Sequence, residues 1–307
     1  MDVTVSEVGP RDGLQSIKRT LPTDAKHRWI AALAQAGLRE IEVGSFVSPK
    51  VLPQMADCAE VVARARTIPG LRIVTLVPNL RYATMAFEAG THVVTIPVSV
   101  SEPHSIANIR KTHAEIIADV RAIVALRNDR FPAIRVETSL STAFGCTIQG
   151  VVPEDDVLCM ADAMADAGSD VINLADTVGY ANPAQVKRLF TRVRAQVGEK
   201  SGGAHLHNTR GQGLANVVAA LDAGVTTFDS SQGGIGGCPY APGATGNIVT
   251  EDLVFLLESM GLDTGIDLDR LIAARAVLAE ELPGEPLYGH VPAAGLPKGF
   301  TTAAGRA

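Results

Sequence analysis

The chain has 307 residues, 46% hydrophobic and 20% charged, which supplies a large core and excludes disordered, collagen-like and small disulfide-scaffold classes. With 33 acidic against 27 basic residues and only 4% aromatics, a basic, base-stacking surface is not expected, so nucleic acid is not a partner. Small phosphate-bearing ligands stay open, because they need only a few local cations. Cys58, Cys146, Cys159 and Cys238 are too sparse for a disulfide framework and read as reduced thiols.

The opening MDVTVSEVGPRDG has neither a charged n-region nor an apolar h-region, so no signal peptide is expected. The most apolar stretch, Val93–Val100, is far shorter than the roughly 20 residues that span a bilayer. The last residues, Gly305-Arg306-Ala307, are not a peroxisomal address. A soluble, cytoplasmic protein without a membrane partner is the expectation.

Strands are predicted over Val3–Glu7, Glu40–Phe46, Arg72–Pro78, His92–Val98, Ile134–Leu140, Asp170–Asp176, Gly203–Asn208 and Val225–Ser231. Helical patterns lie between them. Thr23 and Asp24 can cap the first, Gly37 sits where a left-handed end is wanted, and Asn182-Pro183 reads as a cap followed by a first-turn proline. Eight alternating units imply parallel pairing and a closed (β/α)8 barrel. An open dinucleotide-binding sheet should carry G-x-G-x-x-G after its first strand, and that position holds Gly9-Pro10-Arg11-Asp12-Gly13 instead. One domain is expected: a catalytic barrel over 1–266, with 267–307 as a C-terminal helix and a loosely held tail.

Chemistry in such barrels sits at the C-terminal strand ends. Those ends carry Glu7, Arg11 and Asp12 (strand 1), Glu42 and Ser45 (strand 2), Asp176 (strand 6) and His205 with His207 (strand 7). Residues i and i+2 of a strand point to the same side, so the two imidazoles can share a divalent cation with Asp12. The alternative is that one is only a hydrogen-bonded core histidine. An O/N ligand set without thiolates suits Mg2+ or Mn2+ better than structural zinc. Asp176 is a catalytic candidate, although Thr177 and Gly179 beside it equally fit a strand-exit turn. The segment Gly233–Asn247 is glycine-rich but lacks the Lys-Ser/Thr end of a phosphate-binding loop. It reads as a mobile lid carrying the thiol of Cys238, or else as a flexible loop with an incidental cysteine. The other three cysteines fit partly buried packing positions and need no role.

Glu7-Val8-Gly9-Pro10-Arg11-Asp12-Gly13-Leu14-Gln15, Ser45-Phe46-Val47-Ser48-Pro49-Lys50, and the Cys238–Asn247 segment followed by Thr250-Glu251-Asp252-Leu253 carry a family resemblance. They resemble 3-hydroxy-3-methylglutaryl-CoA lyases, a branch of the metal-dependent barrels with an Asp-Arg-Glu site, over about residues 3 to 268. The resemblance implies Asp12, His205, His207 and Asn247 as metal ligands. It implies Arg11 at the thioester oxygen, Cys238 as the catalytic cysteine and Glu42 as the superfamily glutamate. Arg11, Glu7, Gln15 and Ser45 are expected on the substrate, as are Ser139, Arg210 and Glu251. A CoA thioester cleaved to acetyl-CoA and a 3-oxo acid, and a homodimer, follow from the same resemblance. Two departures stand out. Asn208-Thr209-Arg210-Gly211-Gln212 replaces the family's Asp-Thr-Tyr-Gly-Gln, and Ser139 replaces a tyrosine. Both alter polarity and volume near the expected acyl pocket, so a larger or more polar acyl group is expected.

The chemistry needs a hydroxyl proton removed, by Asp12 or a metal-linked histidine, and an enolate stabilised and then protonated. Competing readings are a lyase for another 3-hydroxyacyl-CoA such as citramalyl-CoA, a synthase or aldolase of the same superfamily, and a non-enzymatic binder.

Overall fold

The computed structural model describes residues 2–236 and 246–306. Eight strands, β1 (Thr4–Glu7), β2 (Glu40–Ser45), β3 (Arg72–Leu76), β4 (Val93–Ser99), β5 (Arg135–Ser141), β6 (Val171–Asp176), β7 (Ser201–Leu206) and β8 (Thr227–Ser230), form a closed parallel barrel in chain order. Each overlaps its predicted strand. The largest offset is in β7, which begins and ends two residues earlier than the sequence suggests. Its early residues pair with β6, Ser201 opposite Ile172. After Leu206 a different partner takes over: Ile248 donates its N–H to Leu206, and His207 bridges to Asn247. The chain leaving β8 thus returns to wedge its 246–249 segment beside the end of β7.

The strands alternate with an unusual sense. Outward residues such as Ile41, Ile73, Ile96, Val136, Leu174 and Phe228 are buried under the surrounding helices. Inward residues include Ser6, Glu42, Thr95, Glu137, Asn173 and Asp229, which line a cavity of about 940 Å³. Barrels of this class more often fill the bore with branched apolar side chains. Here the bore is polar and the core is the jacket between sheet and helices.

Local signals mostly hold. Asn182 caps its helix (Pro183–Val197) by accepting from the N–H of Gln185, and Gly37 takes φ +110° against the carbonyl of Gly265. Thr23 does not cap. Pro22 holds that position in the helix Thr23–Gln35, and the Thr23 hydroxyl donates to Asp57 instead. The tail is also better held than expected. The helix Leu268–Glu281 buries Leu271 and Leu278, Phe300 packs on Phe255, and Ala303 donates to Glu258.

One buried carboxylate ties the site's supports together. Glu7 Oε1 accepts from the N–H groups of Gly9 (2.8 Å) and Gln232 (2.9 Å), and Oε2 accepts from the Thr250 hydroxyl (2.7 Å). It joins the turn after β1 to chain on either side of the glycine-rich segment. A Cβ on Gly9 would lie 2.6 Å from Glu7 Oε1, so glycine is required there. Burial pushes the Glu7 carboxyl up to about 8, against the pull of its three donors. Its folded pKa lies above the unfolded value. The linked stability is therefore complete below about 4.5 and is lost as pH rises through about 8. Glutamine can replace this pattern, with its oxygen accepting both N–H groups and its amide donating to Thr250. Glu7→Gln should therefore fold at pH 5 and flatten the decline in stability between pH 5 and 8 by on the order of 3 kcal/mol. Urea denaturation at several pH values measures this, and parallel wild-type and variant curves would show that Glu7 does not titrate there.

Candidate active site

The turn after β1 is a single wide helical turn, Gly9–Gly13, in which Arg11, Asp12 and Gly13 all donate their N–H to the Val8 carbonyl. Such turns recur at functional sites because they displace consecutive side chains from regular helical positions. Here the turn delivers Arg11 and Asp12 into the top of the bore, both nearly buried. Arg11 donates from Nε to Glu42 Oε2 at 2.6 Å and from Nη1 to Asp12 Oδ1 at 2.7 Å. Asp12 Oδ1 also accepts from Gln15 Nε2, and Oδ2 accepts from Asn247 Nδ2, each at 2.6 Å. Burial alone would raise the Asp12 carboxyl. Arg11, then His205, His207 and the Asn247 amide, outweigh it and hold the group at about 2.

His205 and His207 meet Asp12 from the other side of the mouth. Their Nε2 atoms are 3.2 Å apart, and His205 Nε2 lies 4.0 Å from Asp12 Oδ2. One ligand atom from each of the three residues falls within 4.8 Å of the others. Burial and the neighbouring His205 push His207 down to about 4, so at neutral pH it has a lone pair to give. Among the described residues, His207 Nδ1 and Asn247 Oδ1 are buried with no hydrogen-bond partner, as is Glu42 Oε1. A carboxylate, two imidazoles and a spare amide oxygen, gathered where polar atoms go unsatisfied, fit a divalent cation.

The structure brings most of the sequence candidates together. Arg11, Asp12, Gln15, Glu42, Ser45 and Ser139 line the cavity along with both histidines. The Ser45 hydroxyl donates to the Leu76 carbonyl. Four candidates lie elsewhere. Glu7 is the buried tie described above. Asp176 accepts from the N–H groups of Tyr180 and Ala181, the strand-exit turn that its neighbours allowed, and burial pushes it up to about 6. Glu251 accepts from Arg275 and from the Gly233 N–H. Arg210 is exposed; it donates to the carbonyls of Val178 and Gly179 and stacks 4.5 Å over the Tyr180 ring. None of the four lines the cavity. Cys238 lies outside the described residues. Of the remaining cysteines, Cys58 and Cys146 are buried, while Cys159 is exposed rather than partly buried.

Sequence reasoning missed Asp229. It sits opposite His205 in the β7–β8 register, with Oδ2 3.0 Å from His205 Nδ1. The two-residue alternation that selected His205 and His207 would have found it, because Thr227 and Asp229 share the inward face of β8.

Comparison with known proteins agrees with this geometry. The family model described as HMGL-like matches residues 2–278. A hydroxymethylglutaryl-CoA lyase of Bacillus subtilis is 40% identical over 93% of this chain and 94% of its own length. A 3-hydroxy-3-isohexenylglutaryl-CoA/hydroxymethylglutaryl-CoA lyase of Pseudomonas aeruginosa is 40% identical over 89% of this chain and 90% of its own. The solved HMG-CoA lyase of Acinetobacter baumannii, in complex with coenzyme A and 3-methylmalate, superposes with a TM-score of 0.91. It is 40% identical and covers 97% of both chains. A polar-bored barrel with this mouth, matched over nearly its whole length, belongs to the HMGL-like family.

Proposed function

We propose that this chain is a carbon–carbon lyase. It cleaves a 3-hydroxy-3-methylglutaryl-CoA-like thioester to acetyl-CoA and a 3-oxo acid. The observation that carries the reading is the convergence of Arg11, Asp12, His205 and His207 at one buried mouth. The names of its relatives support the same activity. Asp12, His205, His207 and Asn247 would hold a divalent cation, Mg2+ or Mn2+, which when bound acidifies a chelated hydroxyl and orients the adjoining carboxylate.

The protein's own residues then have distinct work. Arg11 is fixed between Glu42 and Asp12 and can donate to the thioester oxygen, where negative charge grows as the bond breaks. Asp12 is a poor proton acceptor, since Arg11, Gln15 and Asn247 already donate to its carboxylate. With the Nε2 lone pairs of His205 and His207 given to the cation, Glu42, whose Oε1 is buried without a hydrogen-bond partner among the described residues, is the proposed acceptor of the hydroxyl proton. The C2–C3 bond breaks, the C3 oxygen becomes a ketone, and the electron pair passes to the thioester enolate. The enolate takes a proton at C2, and Cys238 is the proposed donor by family resemblance. A homodimer is the proposed assembly on the same ground, and the cytoplasm the proposed location. Among the described residues no helix is long and apolar enough to cross a membrane.

The bore favours a second, finer reading of the substrate. Ser139 lines the cavity level with its register partners Pro97 and Asn173, and the space beside it is read as room for a C3 branch larger than methyl. An acyl group larger or more polar than 3-hydroxy-3-methylglutaryl is therefore proposed. Arg210 does not contribute to it, being committed to Val178, Gly179 and Tyr180.

Acetyl-CoA release from 3-hydroxy-3-methylglutaryl-CoA with Mg2+ should vanish in EDTA and return on adding Mg2+ or Mn2+. Arg11→Met should lower kcat roughly 10²–10³-fold, the loss typical of one donor to a developing oxyanion. Full turnover in chelator would remove the metal from the reading. Across thioesters of increasing C3 branch, Ser139→Tyr should depress kcat/KM for the larger ones by at least about tenfold and spare the methyl compound. An unchanged ranking would make the space beside Ser139 irrelevant to choice.

A further inference from the structure

The two histidines of the mouth are not equivalent. His207 Nδ1 is buried without a hydrogen-bond partner among the described residues, whereas His205 Nδ1 lies 3.0 Å from Asp229 Oδ2. Asp229 comes from the neighbouring strand, directly across the ladder from His205. With the Asp229 oxygen as acceptor, the hydrogen in this contact belongs to Nδ1. A neutral imidazole with its hydrogen on Nδ1 has one remaining lone pair, on Nε2. That atom faces His207 Nε2 at 3.2 Å and Asp12 Oδ2 at 4.0 Å.

We propose that Asp229 is a positioning residue. It fixes the tautomer and direction of His205 so that the Nε2 lone pair points to the centre shared with Asp12 and His207. Without it, His205 is free to rotate or to carry its hydrogen on Nε2, and either change blocks ligation. Among the described residues His207 has no such orienter, so the site's ligand geometry depends on the His205–Asp229 contact. The inference rests on the divalent-cation reading of the site, and the test separates the two.

Mn2+ binding to metal-free protein, followed by the electron paramagnetic resonance of free Mn2+, reads the effect without any turnover. Removing such an outer partner typically weakens metal binding about 10–100-fold, and that is expected for Asp229→Ala. Asp229→Asn keeps an acceptor oxygen for the Nδ1 hydrogen and should bind between Asp229→Ala and wild type. Asp229→Leu keeps the volume and removes the acceptor, and replaces the alanine variant if that does not fold. In a His205→Ala background, Asp229→Ala should weaken Mn2+ by less than about twofold, because its effect passes through His205. Wild-type affinity in both Asp229→Ala and Asp229→Leu, or independent multiplying losses in the double variant, would overturn the proposal alone. Failure of the wild type to bind Mn2+ would overturn the cation reading and this inference with it.

Discussion

The structure turns on keeping one carboxylate charged where little water reaches it. Asp12 is 7% exposed at the top of the bore. A charge in that position is costly unless opposite charge and hydrogen bonds surround it. The surroundings come from three places in the chain: Arg11 in the turn after β1 with Gln15 just beyond it, Asn247 in the segment returning past β8, and the imidazoles at the end of β7. Arg11 in turn needs Glu42 from β2. A closed barrel is what makes these elements neighbours, because β8 must pair with β1 to bring residue 247 within reach of residue 12. Fold and site are thus one electrostatic problem with one solution.

The same constraint explains the inverted interior. A bore packed with branched apolar residues would leave no room for substrate and would strand the charges at its mouth. Here the apolar packing moves outward into the jacket beneath the helices, and the bore keeps serines, threonines, asparagine and glutamates. Large stability terms therefore lie outside the barrel, where they do not compete with function. The described residues flanking the glycine-rich segment are held by the same logic. Glu7 accepts from Gln232 and Thr250, and Glu251 accepts from Gly233, through buried hydrogen bonds that never enter the cavity.

Much of this was legible in the sequence. Short β-branched runs between helical patterns marked the strands, and His205-Leu206-His207 marked two candidate ligands on one side. What escaped has physical causes. Strand β7 slipped by two residues because its last partner is chain from beyond residue 245, a non-local pairing with no local signature. Glu7, Asp176 and Glu251 stood next to the site in sequence but face away from the cavity. At the strand ends the inward residues are Ser6, Ala175 and Asp229, one position earlier than Glu7, Asp176 and Ser230. Strict use of the two-residue period would have demoted Glu7 and Asp176 and promoted Asp229. Thr23 was read as a cap from its type alone, and only the fold reveals the competing acceptor, Asp57.

The claim on which everything else rests is that Asp12, His205 and His207 form a cation site beside Arg11. Anomalous diffraction at the manganese edge, from crystals grown with Mn2+, tests it directly. A single strong peak bonded to Asp12, His205 and His207 is the expected result. A peak elsewhere, or none while Asp12 keeps its contacts to Arg11 and Asn247, would contradict the account.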